Sequence, residues 1–414
     1  MRSFFIATLS IALLPIVGLT QSDINQPPIS YESTKGDNPI TRLFDGVRAG
    51  ETTLSYRYRD GHLKSILSEL GIPVSSQCLV FSKTSLQSAR ISPQNPRAIY
   101  FNDDVYVGWV QGSSLLEIAT ADPALGTAYY TVRMNSGGAA MRRHNSACLA
   151  CHLTSKKQGR IPGHSVRSVM TRESGKINLL LPDFKTTHAS PFEERWGGWY
   201  VTGDVGEMKH RGNAFLEGET LVPEDGGRRS DLTEDFESSR WPIPHSDVVA
   251  LMVFEHQTFV HNELTRAHYD IRRARHVGDE DAVRQAIETI SERLVDALLL
   301  SDEAALSGKV TGSTSFSEEF AARGPFDRKG RSLREFDLST RLFRYPCSYL
   351  IYSSSFEVLD AQLKTRVYER MLDRLISAQP QDKSRGVEIN AAIIEILRDT
   401  KTDLPESWVA TTDG

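Results

Sequence analysis

Residues 148–152 read Cys-Leu-Ala-Cys-His, two thiols and an imidazole in one pentapeptide. A two-residue gap lets both thiols reach the vinyl groups on one edge of a porphyrin. The histidine that follows then falls under the metal as a proximal ligand. The expected chemistry is thioether attachment of one haem c through Cys148 and Cys151, with His152 on the iron. Other uses of these residues fit less well. A thioredoxin-like pair wants its CxxC to open a helix after a strand of a βαβ unit, whereas residues 135–144 read as a Gly-rich loop. A zinc site wants a second Cys/His pair close by, but Cys78 and Cys347 stand alone and far away. A disulfide between Cys148 and Cys151 would close a strained loop.

The sixth iron position separates electron transfer from ligand chemistry. Met208 and His210 sit in a Gly-rich loop, residues 203–213, able to approach a ring closely. His188 lies in another loop, while His256 has Met252, Val253, Phe259 and Val260 as helical neighbours and so sits on an apolar face. These four are the distal candidates; His164 and His261 are further histidines downstream. His261 and His268 share a helix face without an acidic partner and read as surface or interface residues. The string Arg195-Trp-Gly-Gly-Trp-Tyr200 has two readings. Trp196, Trp199 and Tyr200 pack on a porphyrin while Arg195 pairs with a propionate, or the segment is a core turn with glycine where side chains do not fit. No catalytic residue is identified. A distal base for O–O cleavage would fall to His210 or His188.

These residues need a scaffold. Residues 23–50 read as a polar lead-in, and Leu63, Ile66, Leu67 and Leu70 mark a short helix ending near Gly71. Residues 78–133 alternate as an antiparallel β-meander. Residues 134–245 are irregular and rich in Gly, Arg, His and Pro, as suits a segment wrapped on a cofactor. From Ser246 or Asp247 the pattern is helical: a long helix to about residue 275, then 280–300, 316–323, 355–377 and 386–399. The expected class is α+β: a β-meander, a loop-rich haem-c-binding segment, and a C-terminal helical region. The corresponding divisions are 1–22, 23–75, 76–245 and 246–402.

Residues 4–19 form an apolar run after Arg2, followed by a polar, Pro-containing stretch. This reads as a signal peptide for export to the periplasm, or as an uncleaved N-terminal anchor. In an oxidising compartment Cys78 and Cys347 are candidates for a disulfide; the alternative is two buried thiols. A net charge of −5 over 414 residues and the lack of a basic block argue against nucleic acid. No long apolar run follows the N-terminus, so polytopic membrane insertion is not expected. Walker, G-x-S-x-G and H-E-x-x-H motifs are absent, which leaves nucleotide and hydrolase chemistry without a foothold.

The chain resembles a family of large exported bacterial mono-haem proteins described as cytochrome c domain-containing. The resemblance rests on Asn95-Pro-Arg-Ala-Ile-Tyr-Phe-Asn-Asp-Asp-Val-Tyr-Val-Gly-Trp109, Ala147-Cys-Leu-Ala-Cys-His152, Glu194-Arg-Trp-Gly-Gly-Trp-Tyr-Val-Thr-Gly203 and Arg344-Tyr-Pro-Cys-Ser-Tyr-Leu350. It is fainter to cytochrome P460-like proteins, which also place C-x-x-C-H after a β-meander. What both imply for this chain is haem c on Cys148, Cys151 and His152. The expected function is electron transfer through the haem iron to a redox partner protein. The alternative is an open sixth position that serves a peroxidase, a small-molecule oxidoreductase or a sensor.

Overall fold

The computed structural model describes residues 23–377 and 386–409. The expected signal segment, residues 1–22, lies outside the described residues. The fold is α+β, built on a six-stranded antiparallel sheet in which sequence neighbours are sheet neighbours. Its strands are β1 Cys78–Val80, β2 Arg97–Phe101, β3 Val105–Val110, β4 Leu115–Asp122, β5 Gly126–Asn135 and β6 Gly138–Arg143.

Strand β6 corrects the loop expected over residues 135–144. The glycines there serve a two-residue turn between the paired Asn135 and Gly138. The chain then runs back along β5, with Met141 opposite Val132 and Arg143 opposite Tyr130. The strand sits at the sheet edge and is only half-buried. Its Ala and Arg residues therefore carry little strand propensity.

Alternation along the strands splits the interior into two cores. Cys78, Val80, Ile99, Phe101 and Tyr106 join the helices in one cluster, which crosses residue 245 without a break. Leu79, Ala98, Tyr100, Val107, Trp109 and Tyr130 face the other. That second core is covered by α1 Pro39–Ala49 and α2 Leu63–Glu69, through Ile40, Phe44, Leu63, Ile66 and Leu67. Helix α1 corrects the lead-in expected over residues 23–50. Asn38 and Thr41 form a reciprocal capping box, Pro39 opens the first turn, and Gly50 ends the helix at φ 76°. With only Ile40 and Phe44 buried, the helix shows a thin apolar stripe.

Helix α3 is the single turn Leu149–His152. The irregular stretch beyond it holds two short hairpins, β7 Arg167–Val169 with β8 Asp183–Lys185, and β9 Phe215–Glu217 with β10 Thr220–Val222. The helical half then follows the pattern closely: α4 Val248–Val277, α5 Glu280–Leu298, α6 Phe316–Ala321, α7 Ser354–Glu357, α8 Ala361–Ser377, α9 Val387–Thr400 and α10 Glu406–Val409. Asp247 caps α4: Oδ1 accepts from Val249 N at 2.8 Å and Ala250 N at 3.1 Å, and Oδ2 accepts from Ser313 N at 2.7 Å and Thr314 N at 2.8 Å. Helix α4 packs on both α5 and β5. Arg366, Arg370 and Arg374 of α8 pair with Glu288, Glu292 and Asp296 of α5. Among the described residues, no helix is long and apolar enough to cross a membrane.

Candidate cofactor site

Strand β6 leads through residues 144–147 into the turn that carries the motif. Cys148 has helical backbone angles, and Cys151 N and His152 N donate to its carbonyl at 3.1 and 2.9 Å. Spacing of i and i+3 puts the two thiols on one side of the turn. Leu149 anchors it in the core, while Cys148 is half-buried and Cys151 exposed.

His152 is held by Gly163. Gly163 N donates to the His152 carbonyl at 2.9 Å, and His152 Nδ1 lies 3.2 Å from the Gly163 carbonyl oxygen. Tyr129 Oη donates to that same oxygen at 2.7 Å, and its ring lies 5.0 Å from the imidazole. A carbonyl oxygen only accepts, so Nδ1 carries the proton and Nε2 the lone pair. Nε2 makes no hydrogen bond among the described residues. Burial holds the imidazole below its usual range and therefore neutral. A neutral ring whose Nδ1–H is fixed by a carbonyl is the state a metal-ligating histidine needs.

The redox-pair reading fares worse. The turn does follow a strand, but β6 belongs to an antiparallel meander with no βαβ crossover. Burial, then Glu117 and Cys151, push the Cys148 thiol up to about 11. A reactive dithiol is shifted downward.

The four aromatic-segment candidates are built into the protein interior. Arg195 is buried and donates to Glu255 Oε2 at 3.1 Å, the His188 carbonyl at 2.9 Å and the Ser190 carbonyl at 2.7 Å. Its guanidinium is committed there rather than to a propionate. Trp196 is fully buried at φ 65°. A Cβ on Gly197 would stand 2.7 Å from the Val169 carbonyl oxygen, and one on Gly198 2.7 Å from Ser82 Cβ. Trp199 Nε1 donates to the Arg167 carbonyl at 2.8 Å, and Tyr200 Oη to the Pro93 carbonyl at 3.0 Å. The geometry is that of a core turn with glycine where side chains do not fit.

The distal candidates are also occupied elsewhere. His188 and His256 face each other with Nδ1 atoms 3.0 Å apart, and Ser348 Oγ lies 2.8 Å from His256 Nε2. Both are buried in the helical core. His210 stacks edge-on against Trp196, and its Nδ1 accepts from Gly212 N at 3.1 Å. With Met208 it lines a small pocket of about 110 Å³. No hydrogen bond or ring contact joins any of the four to the 148–152 turn among the described residues.

What the structure does bring near His152 is a set that spacing did not reveal. His164 follows Gly163 and contributes to the electrostatics of the same neighbourhood. Its ring centroid is 4.5 Å from that of Tyr106, whose hydroxyl is 2.9 Å from His261 Nδ1. Gln257 Nε2 donates to Tyr106 Oη at 2.7 Å, so Tyr106 is the donor to His261. Asn262 clips the backbone of His164 to α4 by two hydrogen bonds, at 2.8 and 2.9 Å. His261 is thus a buried network member and not the surface histidine expected. Burial pushes it down to about 4.

The candidate disulfide is likewise not formed. Cys78 and Cys347 are both free and buried in the helical core, and Cys78 Sγ contacts the Ser76 carbonyl at 3.6 Å. Each acts as a small apolar core residue. Among the described residues, no three His, Cys, Asp or Glu side chains gather as a site for a bare metal ion. A haem asks less of the protein: two thiols at the right spacing and one neutral imidazole with a free nitrogen, and Cys148, Cys151 and His152 supply these. No protein-family model, curated protein or solved structure matches the chain.

Proposed function

We propose that this chain is an exported, periplasmic c-type cytochrome, with one haem held on the 148–152 turn, that exchanges electrons with a partner protein. The observation that carries the reading is the His152 tautomer: the Gly163 carbonyl holds Nδ1–H and leaves Nε2 with its lone pair. Cys148 and Cys151 hold the ring edge through thioether bonds. Tyr129 fixes the carbonyl that orients the imidazole. The exposure of Cys151 leaves the attachment edge within reach of a docking protein. A haem bound there supplies a one-electron Fe(III)/Fe(II) couple.

A second reading has one specific observation behind it. Met208, His210, His188 and His256 are engaged in the interior, which favours an open sixth position and hence a haem enzyme or sensor. One experiment serves both. The protein is matured with a haem-attachment system, and its spectrum is taken oxidised, reduced with dithionite, and reduced under CO. Absence of covalent haem ends both readings. A sharp reduced α-band indifferent to CO supports electron transfer. A broad high-spin spectrum that shifts with CO supports the open site.

A further inference from the structure

A pocket of about 330 Å³ opens between the 57–64 segment and the 233–244 segment, and it shares no residue with the 148–152 turn. Its volume lies at the lower end of the range for small-molecule sites. The first wall is a tight turn: Arg57 N donates to the Gly61 carbonyl at 2.8 Å, and Gly61 N donates back at 2.7 Å. The turn presents Arg57, Arg59 and Asp60, and Lys64 follows on α2. Arg59 Nη2 donates to the Trp241 carbonyl at 3.3 Å and ties the two walls together.

The charges here are unusually unspent. Elsewhere most arginines of this chain sit in short ion pairs, yet Arg59 and Lys64 have none among the described residues. The only ion pair of Arg57 is with Asp60 at 3.9 Å, beyond hydrogen-bond reach. Asp60 is only 4% exposed, and its Oδ1 is buried with no hydrogen bond. A buried carboxylate oxygen without a donor is costly. The pocket therefore offers two unpaired cations, one buried acceptor lacking a donor, and an apolar wall from Trp241 and Pro242. A simple dianion would satisfy the cations and leave Asp60 facing negative charge.

We propose that this pocket binds a small zwitterion of the α-amino-acid class. The carboxylate meets Arg59 and Lys64, the ammonium meets Asp60 Oδ1, and the side chain lies on Trp241 and Pro242. The site stands independently of the haem reading. Calorimetry on the full chain tests it with L-leucine and L-phenylalanine against 4-methylpentanoate and 3-phenylpropionate, which lack the amine. The expected result is binding of both amino acids, with the deaminated acids weaker by about tenfold or more. Asp60→Asn should bring each amino acid down to the level of its deaminated partner. Because Asp60 is buried, circular dichroism first establishes that this variant folds. The exposed pair Arg59→Ala and Lys64→Ala gives a second reading and should each weaken L-leucine binding severalfold. Equal binding of acids and amino acids overturns the proposal in favour of a plain anion site. It is also overturned if neither amino acid binds, or if the Arg59 and Lys64 variants bind L-leucine like the wild type.

Discussion

The Gly163 carbonyl oxygen governs what His152 can do. It accepts from His152 Nδ1–H and from Tyr129 Oη, and so leaves Nε2 as the one free ring nitrogen. If His152 is the proximal ligand, His152→Ala matured in parallel keeps its haem through Cys148 and Cys151 but loses its axial nitrogen. Pyridine-haemochrome quantitation should then show haem near wild-type stoichiometry, while the reduced α-band collapses. Arg195 gives a contrasting expectation. Its partner is Glu255, both are buried, and deleting one member of such a pair costs about 3–5 kcal/mol. Arg195→Ala should lower the urea midpoint by a corresponding amount and leave haem content per folded molecule unchanged. At this scale, residues 148–152 were legible because their spacing is the chemistry. Gly163 as the acceptor and Glu255 as the partner of Arg195 were not, because nothing local encodes a contact between residues 195 and 255.

Among the elements, α4 shows why local signals succeed. Asp247 precedes an apolar run, and its carboxylate takes the first free amides of the helix. The same carboxylate also receives Ser313 N and Thr314 N, a tertiary role with no sequence signature. Asp247→Ala should therefore cost more than a surface cap, about 2 kcal/mol or above, and Asp247→Asn should recover part of it in the same thermal melt. Helix α1 and strand β6 were missed for opposite reasons. Asn38 and Pro39 read as loop residues although they are start signals for α1. The glycines before β6 belong to its turn and mask the strand behind them. The Trp-Gly-Gly-Trp string allowed two readings from sequence alone. The close approach of Val169 and Ser82 to Gly197 and Gly198 decides for the core turn.

For the whole molecule, the buried histidines set a pH dependence. Burial holds His188 at about 3, and His210 and His261 at about 4, against an ordinary value of 6.5. The unfolded chain takes up protons at these rings below about pH 6.5 while the folded chain does not. Stability is therefore complete above that pH and falls as the pH drops from about 6.5 toward 4. Each ring contributes up to ~1.4 kcal/mol per pH unit in that window. Urea midpoints taken at pH 7, 6 and 5 should decline in order; a flat series would show that these rings are not held neutral. The network behind this, from His164 through Tyr106 to His261 and Gln257, joins strand β3 to α4 across most of the sequence. Patterning could show each element but not which of their polar faces meet.

The attachment turn hangs from an edge strand, and of its residues only Leu149 enters a core. In biogenesis this separates two events that some small metalloproteins must couple. The chain can reach its native packing before any cofactor arrives, and the attachment machinery can then work on a ready-made body. A double variant, Cys148→Ser with Cys151→Ser, should fold and be exported with a stability within about 1 kcal/mol of the wild type. The pool of unloaded protein would then persist as a reservoir awaiting haem rather than being cleared as misfolded chain.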